Sequence, residues 1–187
     1  VLPKLTKQGQ ILSEKEVFKG RIFTVSQRHI HTPDGLNVER DVVTHIPAAV
    51  VLALTPDRQK ALLNVEYRAG INAESYSLPA GLLDAGETPL QAAVREVKEE
   101  TGYTLTDPHA MTQVSTSEGF SSETNTLVWG TIDPTERGAQ HFDQDEFVNS
   151  KLVSFDEIIA AVKDGTIHAG QAVAAIGFYL SFIQPNL

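Results

Sequence analysis

Four charged residues near the middle of the chain, Arg95, Glu96, Glu99 and Glu100, are spaced to act together. On a helix each residue turns about 100°, so Glu96 and Glu100 project only about 40° apart. Their Cβ atoms then stand roughly 6 Å from one another. Like charges at that separation repel, and nothing in helix packing asks for them. A hard divalent cation reverses the sign of that interaction, because Mg²⁺ and Mn²⁺ prefer carboxylate oxygens. Glu99 points farther from Glu100, which suits it to a second ion or a bridging water. Arg95 is placed to orient or partly neutralise the cluster. The bland alternative is a solvated acidic face, since glutamate is a good helix former.

The helix that must carry these residues is well marked. Thr88 is a good N-cap, Pro89 takes the first helical position, and Gln91 completes a Thr-x-x-Gln capping box. Gly102 falls where a left-handed C-terminal cap is wanted. Between them Leu90, Ala93, Val94 and Val97 form one apolar stripe that Glu100 borders.

Around this helix the pattern is strand-rich. Residues 17–45 read as an antiparallel hairpin or small unit that turns at Pro33-Asp34-Gly35. The apolar run 48–54 predicts a buried strand, and further strands are expected at 61–67, 111–117, 126–132 and 148–153. No long periodic element is visible over 68–78, and 133–145 is polar and acidic. Two helices, 155–163 and 169–183, close the chain. The expectation is an α+β fold, a mixed sheet with helices on its faces. Two parts are expected, a β-element at 1–46 and the main domain at 47–187.

Composition narrows the functions. The net charge of -9 and the absence of a Lys/Arg cluster argue against a nucleic-acid partner. No apolar run is long enough to span a bilayer, so no membrane partner is expected. There is no cysteine, which removes disulfides, thiolate zinc sites and a cysteine nucleophile. This fits a reducing compartment, and no basic-then-apolar export pattern opens the chain, so a cytoplasmic location is expected. Neither a Gly-x-Ser-x-Gly elbow nor a P-loop is present. His29 and His31 share a strand face but have no third ligand tied to them, and they read as surface.

The full spacing is Gly81-x5-Glu87-x7-Arg95-Glu96-Val97-x-Glu99-Glu100-x-Gly102-Tyr103. This resembles the Nudix box, with every invariant polar position and glycine present; Tyr103 stands where the family usually has an aliphatic residue. The resemblance implies a Nudix α/β/α sandwich with a mixed sheet, preceded here by a small N-terminal antiparallel β-element. It also implies metal-dependent hydrolysis of a nucleoside diphosphate linked to another group. Glu96, Glu99, Glu100 and the backbone carbonyl of Ala80 would hold Mg²⁺, with Mn²⁺ as the alternative ion.

Flanking segments point to a subfamily. Residues Leu78 to Glu87, the tripeptide Glu66-Tyr67-Arg68, and Gly119-Phe120-Ser121-Ser122-Glu123 are similar to segments of ADP-ribose and ADP-sugar pyrophosphatases. Those enzymes commonly have Pro where Glu118 stands. The implied substrate is a nucleoside diphosphate-sugar, and the implied assembly is a homodimer built through the N-terminal element. Two glutamates compete for the general base: Glu146 in the acidic loop, which is favoured, and Glu123, then a substrate or metal positioner. Arg68 suits a diphosphate or terminal ribose because a guanidinium grips phosphate bidentately. Tyr67 and Phe120 are candidates to stack on adenine or simply to pack. Arg40, with Arg28, is placed to reach a partner subunit's site. The other readings are hydrolysis of damaged nucleoside triphosphates and an ADP-ribose-sensing module without turnover.

Overall fold

The computed structural model describes residues 2–141 and 147–186. The chain folds as two compact units. The first holds the residues up to Ile46 together with Ser115–Thr124, and the second holds Pro47–Val114 and the described residues from Asn125 onward.

The first unit is a three-stranded antiparallel sheet in the order β1-β2-β3, made of β1 (Gln10–Lys19), β2 (Phe23–His31) and β3 (Asn37–His45). β2 and β3 pair without a break from Phe23↔His45 to His31↔Asn37, and the Pro33-Asp34-Gly35 reversal joins them. β1 begins well before residue 17, where the sequence first reads as extended. Every residue of β1 is exposed and its register with β2 shifts twice, so no apolar alternation marks it. The 115–124 segment joins this unit through a parallel bridge from Val43 to Ser121.

The second unit is built on a seven-stranded mixed sheet. Its main path runs β10-β5-β4-β9-β8, with β6 on β5 and β7 on β4. The strands are β4 (Ala48–Leu54), β5 (Lys60–Arg68), β6 (Ala73–Ser77), β7 (Ala80–Leu82), β8 (Leu105–Ser115), β9 (Thr124–Ile132) and β10 (Val148–Ser154). β6 and β7 are additions to the sequence reading, which left 68–78 without an element and placed none at 80–82. They are too short to show a period of their own and exist as partners of β5 and β4.

β4 explains the two-sided architecture. All seven of its residues are buried, and it pairs in parallel with β9, as a continuous apolar run predicts. Val50, Leu52 and Leu54 face the core shared with α2 (Phe155–Asp164) and α3 (Gly170–Phe178). Ala49, Val51 and Ala53 face the other way, against Ala92, Ala93 and Val97 of α1 (Pro89–Thr101). The result is an α/β/α sandwich. The last expected helix stops at Phe178 and continues as a π-helical turn, Tyr179–Ile183.

β4 and β5 meet in register only at Leu54↔Ala61. Toward its start β4 pairs with β7 instead, and Val51 N donates to Pro79 O. The two strands therefore diverge, and α1 lies against β4, β7 and β10.

Candidate active site

Helix α1 forms as its local signals require. Thr88 caps it through the complete capping box with Gln91, and Gly102 closes it in the left-handed region at φ 78°. Its buried residues are Ala92, Ala93, Glu96, Val97, Glu100 and Thr101, whereas Leu90 and Val94 are only partly covered. The buried face is thus rotated from the expected stripe and takes in two glutamates. Glu96 is 8% and Glu100 5% exposed. Burial makes the like-charge pair more costly than the solvated face weighed from sequence.

Gly81 lies directly against Glu96. A Cβ built on it would overlap the Glu96 carboxylate, so only glycine leaves that group its place. Ala80, the neighbouring residue of β7, donates its N–H to Glu100 Oε2 at 3.2 Å.

Arg95 gathers the remaining charges. It donates to both Glu87 oxygens (3.0 and 2.8 Å), to Glu96 Oε1 (2.6 Å), to Glu99 Oε2 (3.1 Å) and to the Leu82 carbonyl (2.9 Å). Its guanidinium is held even more firmly protonated, first by Glu87, and Glu87 in turn is pulled below the usual carboxylate range by Arg95. Among the described residues no three carboxylates or imidazoles stand in a ligating arrangement; the Arg95 guanidinium lies between Glu96 and Glu99.

Glu100 is different. Burial pushes its carboxyl well above the ordinary glutamate value, and the charges of Glu96 and Glu66 add to that, against the hydrogen bonds from Ala80 and Asn64. Two further carboxylates thus bear on Glu100, while Arg95 bonds to Glu96 and Glu99. Clustered carboxylate oxygens are the donor chemistry that a hard dication takes, with the Arg95 guanidinium now lying between Glu96 and Glu99. Glu96, Glu99, Glu100 and the Ala80 backbone are the residues available to hold it.

Asn64 and Ser150 were not singled out from sequence. Asn64, 1% exposed, donates from Nδ2 to Glu100 Oε2 at 2.9 Å. Ser150 Oγ donates to Asn64 Oδ1 and approaches the Glu100 carbonyl at 3.2 Å. The available signal was a lone amide inside the apolar run of β5.

The last carbonyls of α1 are closed by the segment that follows β9. His141 N bonds Glu99 O, Gln140 Nε2 bonds Glu100 O, Arg137 Nε bonds Thr101 O and Gly138 N bonds Gly102 O. Arg137 also stacks over the Tyr103 ring, which is buried in the core on the α1 side. At this position the aromatic residue serves packing.

The other expected site residues are distributed as follows. Arg68 is exposed and pairs with Glu66 at 2.7 Å. Tyr67 is exposed and donates to Asn72 Oδ1 across the β5–β6 turn. In the first unit, Glu123 accepts from Thr116 Oγ1 at 2.7 Å, Phe120 is exposed, and Arg40 donates to the Glu39 carbonyl. Glu146 lies outside the described residues. Among the described residues no helix is long and apolar enough to cross a membrane.

The fold and the box define a class. A family model for the NUDIX domain matches residues 44–175, and the chain belongs to that family as a Nudix hydrolase. A methanol dehydrogenase activator from Bacillus methanolicus is 30% identical over 175 residues, 94% of either chain. The ADP-ribose pyrophosphatase of Bacillus subtilis (strain 168) is 28% identical over 171 residues, 91% of this chain and 92% of its own. A solved structure of an ADP compounds hydrolase superposes with a TM-score of 0.84 over 98% of both chains; at 20% identity it speaks for the fold.

Proposed function

We propose that the chain hydrolyses the diphosphate of ADP-ribose or a related ADP-sugar, giving AMP and a sugar phosphate. Water adds to one phosphorus, the bridging P–O bond breaks, and the other phosphate leaves. The observation that carries this reading is the buried pair Glu96 and Glu100 beside Gly81, where charge is surplus and side-chain bulk is excluded. Glu96, Glu99, Glu100 and the Ala80 carbonyl would hold Mg²⁺ (or Mn²⁺), which when bound neutralises phosphoryl oxygens and favours attack by water. Arg95 keeps Glu96, Glu99 and Glu87 in place. Glu146 is the general base, with Glu123 as a positioner. Arg68 grips the diphosphate or ribose, and Tyr67, Phe120 and Arg40 contribute to substrate binding. The B. subtilis relative, an ADP-ribose pyrophosphatase by name, supports the sugar.

The test is a panel of ADP-ribose, other ADP-sugars and damaged nucleoside triphosphates, each with Mg²⁺, Mn²⁺ or chelator. Turnover of ADP-ribose that needs metal is expected. Undiminished turnover in chelator would sink the metal assignment, and preference for triphosphates would sink the substrate.

The same reading assigns residues 1–46 to a homodimer and 47–187 to the hydrolase domain. Its support is the exposed apolar set Ile11, Leu12, Val17, Phe18, Ile22 and Phe23. A monomeric mass in solution would count against it. The cysteine-free composition supports placing the reaction in the cytoplasm.

A second reading comes from the B. methanolicus relative: that this chain activates a methanol dehydrogenase. Methanol oxidation by such an enzyme, measured with and without this chain, decides it; an unchanged rate rejects it.

A further inference from the structure

Three small polar residues stand side by side across the sheet. Ser77 of β6 and Ser150 of β10 both face Asn64 of β5 in register. All three are buried, at 1%, 5% and 1% exposure respectively. Asparagine is depleted in strands, and a buried amide is costly unless it is bonded. The bonds it makes are therefore informative.

A row that served the sheet alone would bond within itself. This one does so on one side only. Ser150 Oγ donates to Asn64 Oδ1, whereas Ser77 Oγ has no hydrogen-bond partner among the described residues. The Asn64 Nδ2 group turns out of the row to Glu100 Oε2, where Ala80 N also arrives. Ser150 and the Glu100 carboxylate together favour this orientation of the amide. With the amide reversed, Oδ1 would face a carboxylate oxygen and Ser150 would keep only the Glu100 carbonyl as acceptor. Two N–H donors hold Glu100 Oε2, and among the described residues no hydrogen bond falls on Oε1.

We infer that Asn64, oriented by Ser150, is a positioning residue for Glu100: it holds Oε2 and leaves Oε1 for the cation. The inference rests on the reading of Glu100 as a ligand given above. Groups that orient a ligating carboxylate change metal affinity without touching the ion.

The experiment titrates the metal-free full chain with Mn²⁺ alone and follows free Mn²⁺ by electron paramagnetic resonance. Asn64→Leu, nearly isosteric, should bind Mn²⁺ about tenfold or more weakly. Ser150→Ala should weaken binding in the same direction, less strongly. Because Ser150 acts through Asn64, the double variant should bind no more weakly than Asn64→Leu alone. Urea unfolding in chelator is run beside each variant; if Asn64→Leu fails to fold, Ser150→Ala carries the test. Variants that bind Mn²⁺ within about twofold of the parent overturn the inference while leaving the ligand reading intact. Independent, additive losses would equally overturn it. A parent that binds no Mn²⁺, or a Glu100→Gln variant that binds as well as the parent, removes the ligand reading and this inference with it.

Discussion

Replacing Gly81 by alanine separates what the site needs from what the fold needs. Gly81 has no left-handed backbone, so alanine meets no conformational barrier there. The atoms nearest the added Cβ are those of the Glu96 carboxylate, at the end of a flexible side chain. That carboxylate must retreat by about 1 Å or more, a displacement that can cost on the order of 100-fold in rate when it misplaces a reacting group. Retreat also strains the Arg95 Nη1–Glu96 Oε1 contact, now 2.6 Å. A weakened hydrogen bond of this kind costs about 1 kcal/mol. The lower chain entropy of alanine in the unfolded state offsets roughly 0.4–1 kcal/mol of that. Stability should therefore stay within about 1 kcal/mol of the parent while kcat on ADP-ribose falls about 100-fold. Urea unfolding in chelator and saturating-substrate kinetics in Mg²⁺ measure the two sides. A kcat within about threefold of the parent would refute the reasoning, since the carboxylate would then not need its present place. So would a loss of stability large enough to account for the lost activity.

Glu100→Gln should remove a pH dependence. Folded Glu100 keeps its proton to higher pH than the ordinary value of 4.5. Its contribution is fully present below that value and is lost as pH rises toward the raised one. Glutamine cannot ionise, so in chelator the variant should gain on the parent across that window and stay ahead above it; parallel stability–pH curves would reject this. Thr88→Ala removes the side-chain half of the capping box and should cost about 1 kcal/mol by urea unfolding, with Mn²⁺ affinity unchanged. Glu146→Gln should lower kcat by about 100-fold or more, as expected for a general base, while Glu123→Gln acts mainly on KM. The reverse pattern would exchange their roles.

Helix α1 was readable from sequence because its determinants are local. Thr88, Gln91 and Gly102 act within a turn of themselves, and each does in the structure what its type predicts. The buried run of β4 was readable for the same reason. β6 and β7 were not, since three- to five-residue strands acquire meaning only from β5 and β4 across the sheet. The depth of Glu96 and Glu100 also escaped the helical periodicity, because charged residues are scored outward by default. Asn64 and Ser150 bond across 86 positions of chain, and no spacing rule connects them. The box was thus legible as a family signature in sequence, while the contacts of Asn64 and Ser150 with Glu100 emerge only from strand register.

The position of the glutamates along α1 has one further consequence. Glu99 and Glu100 occupy the last turn, with Glu96 one turn back. A diphosphate arriving alone meets repulsion from these carboxylates. A dication arriving alone meets attraction from the same sources. On the proposed ligand reading, affinity for either ligand rises when the other is present, and by the same factor. In binding measurements this reciprocity would make the apparent Kd for a non-hydrolysable substrate analogue a function of metal concentration. Its slope would report how strongly the two are linked.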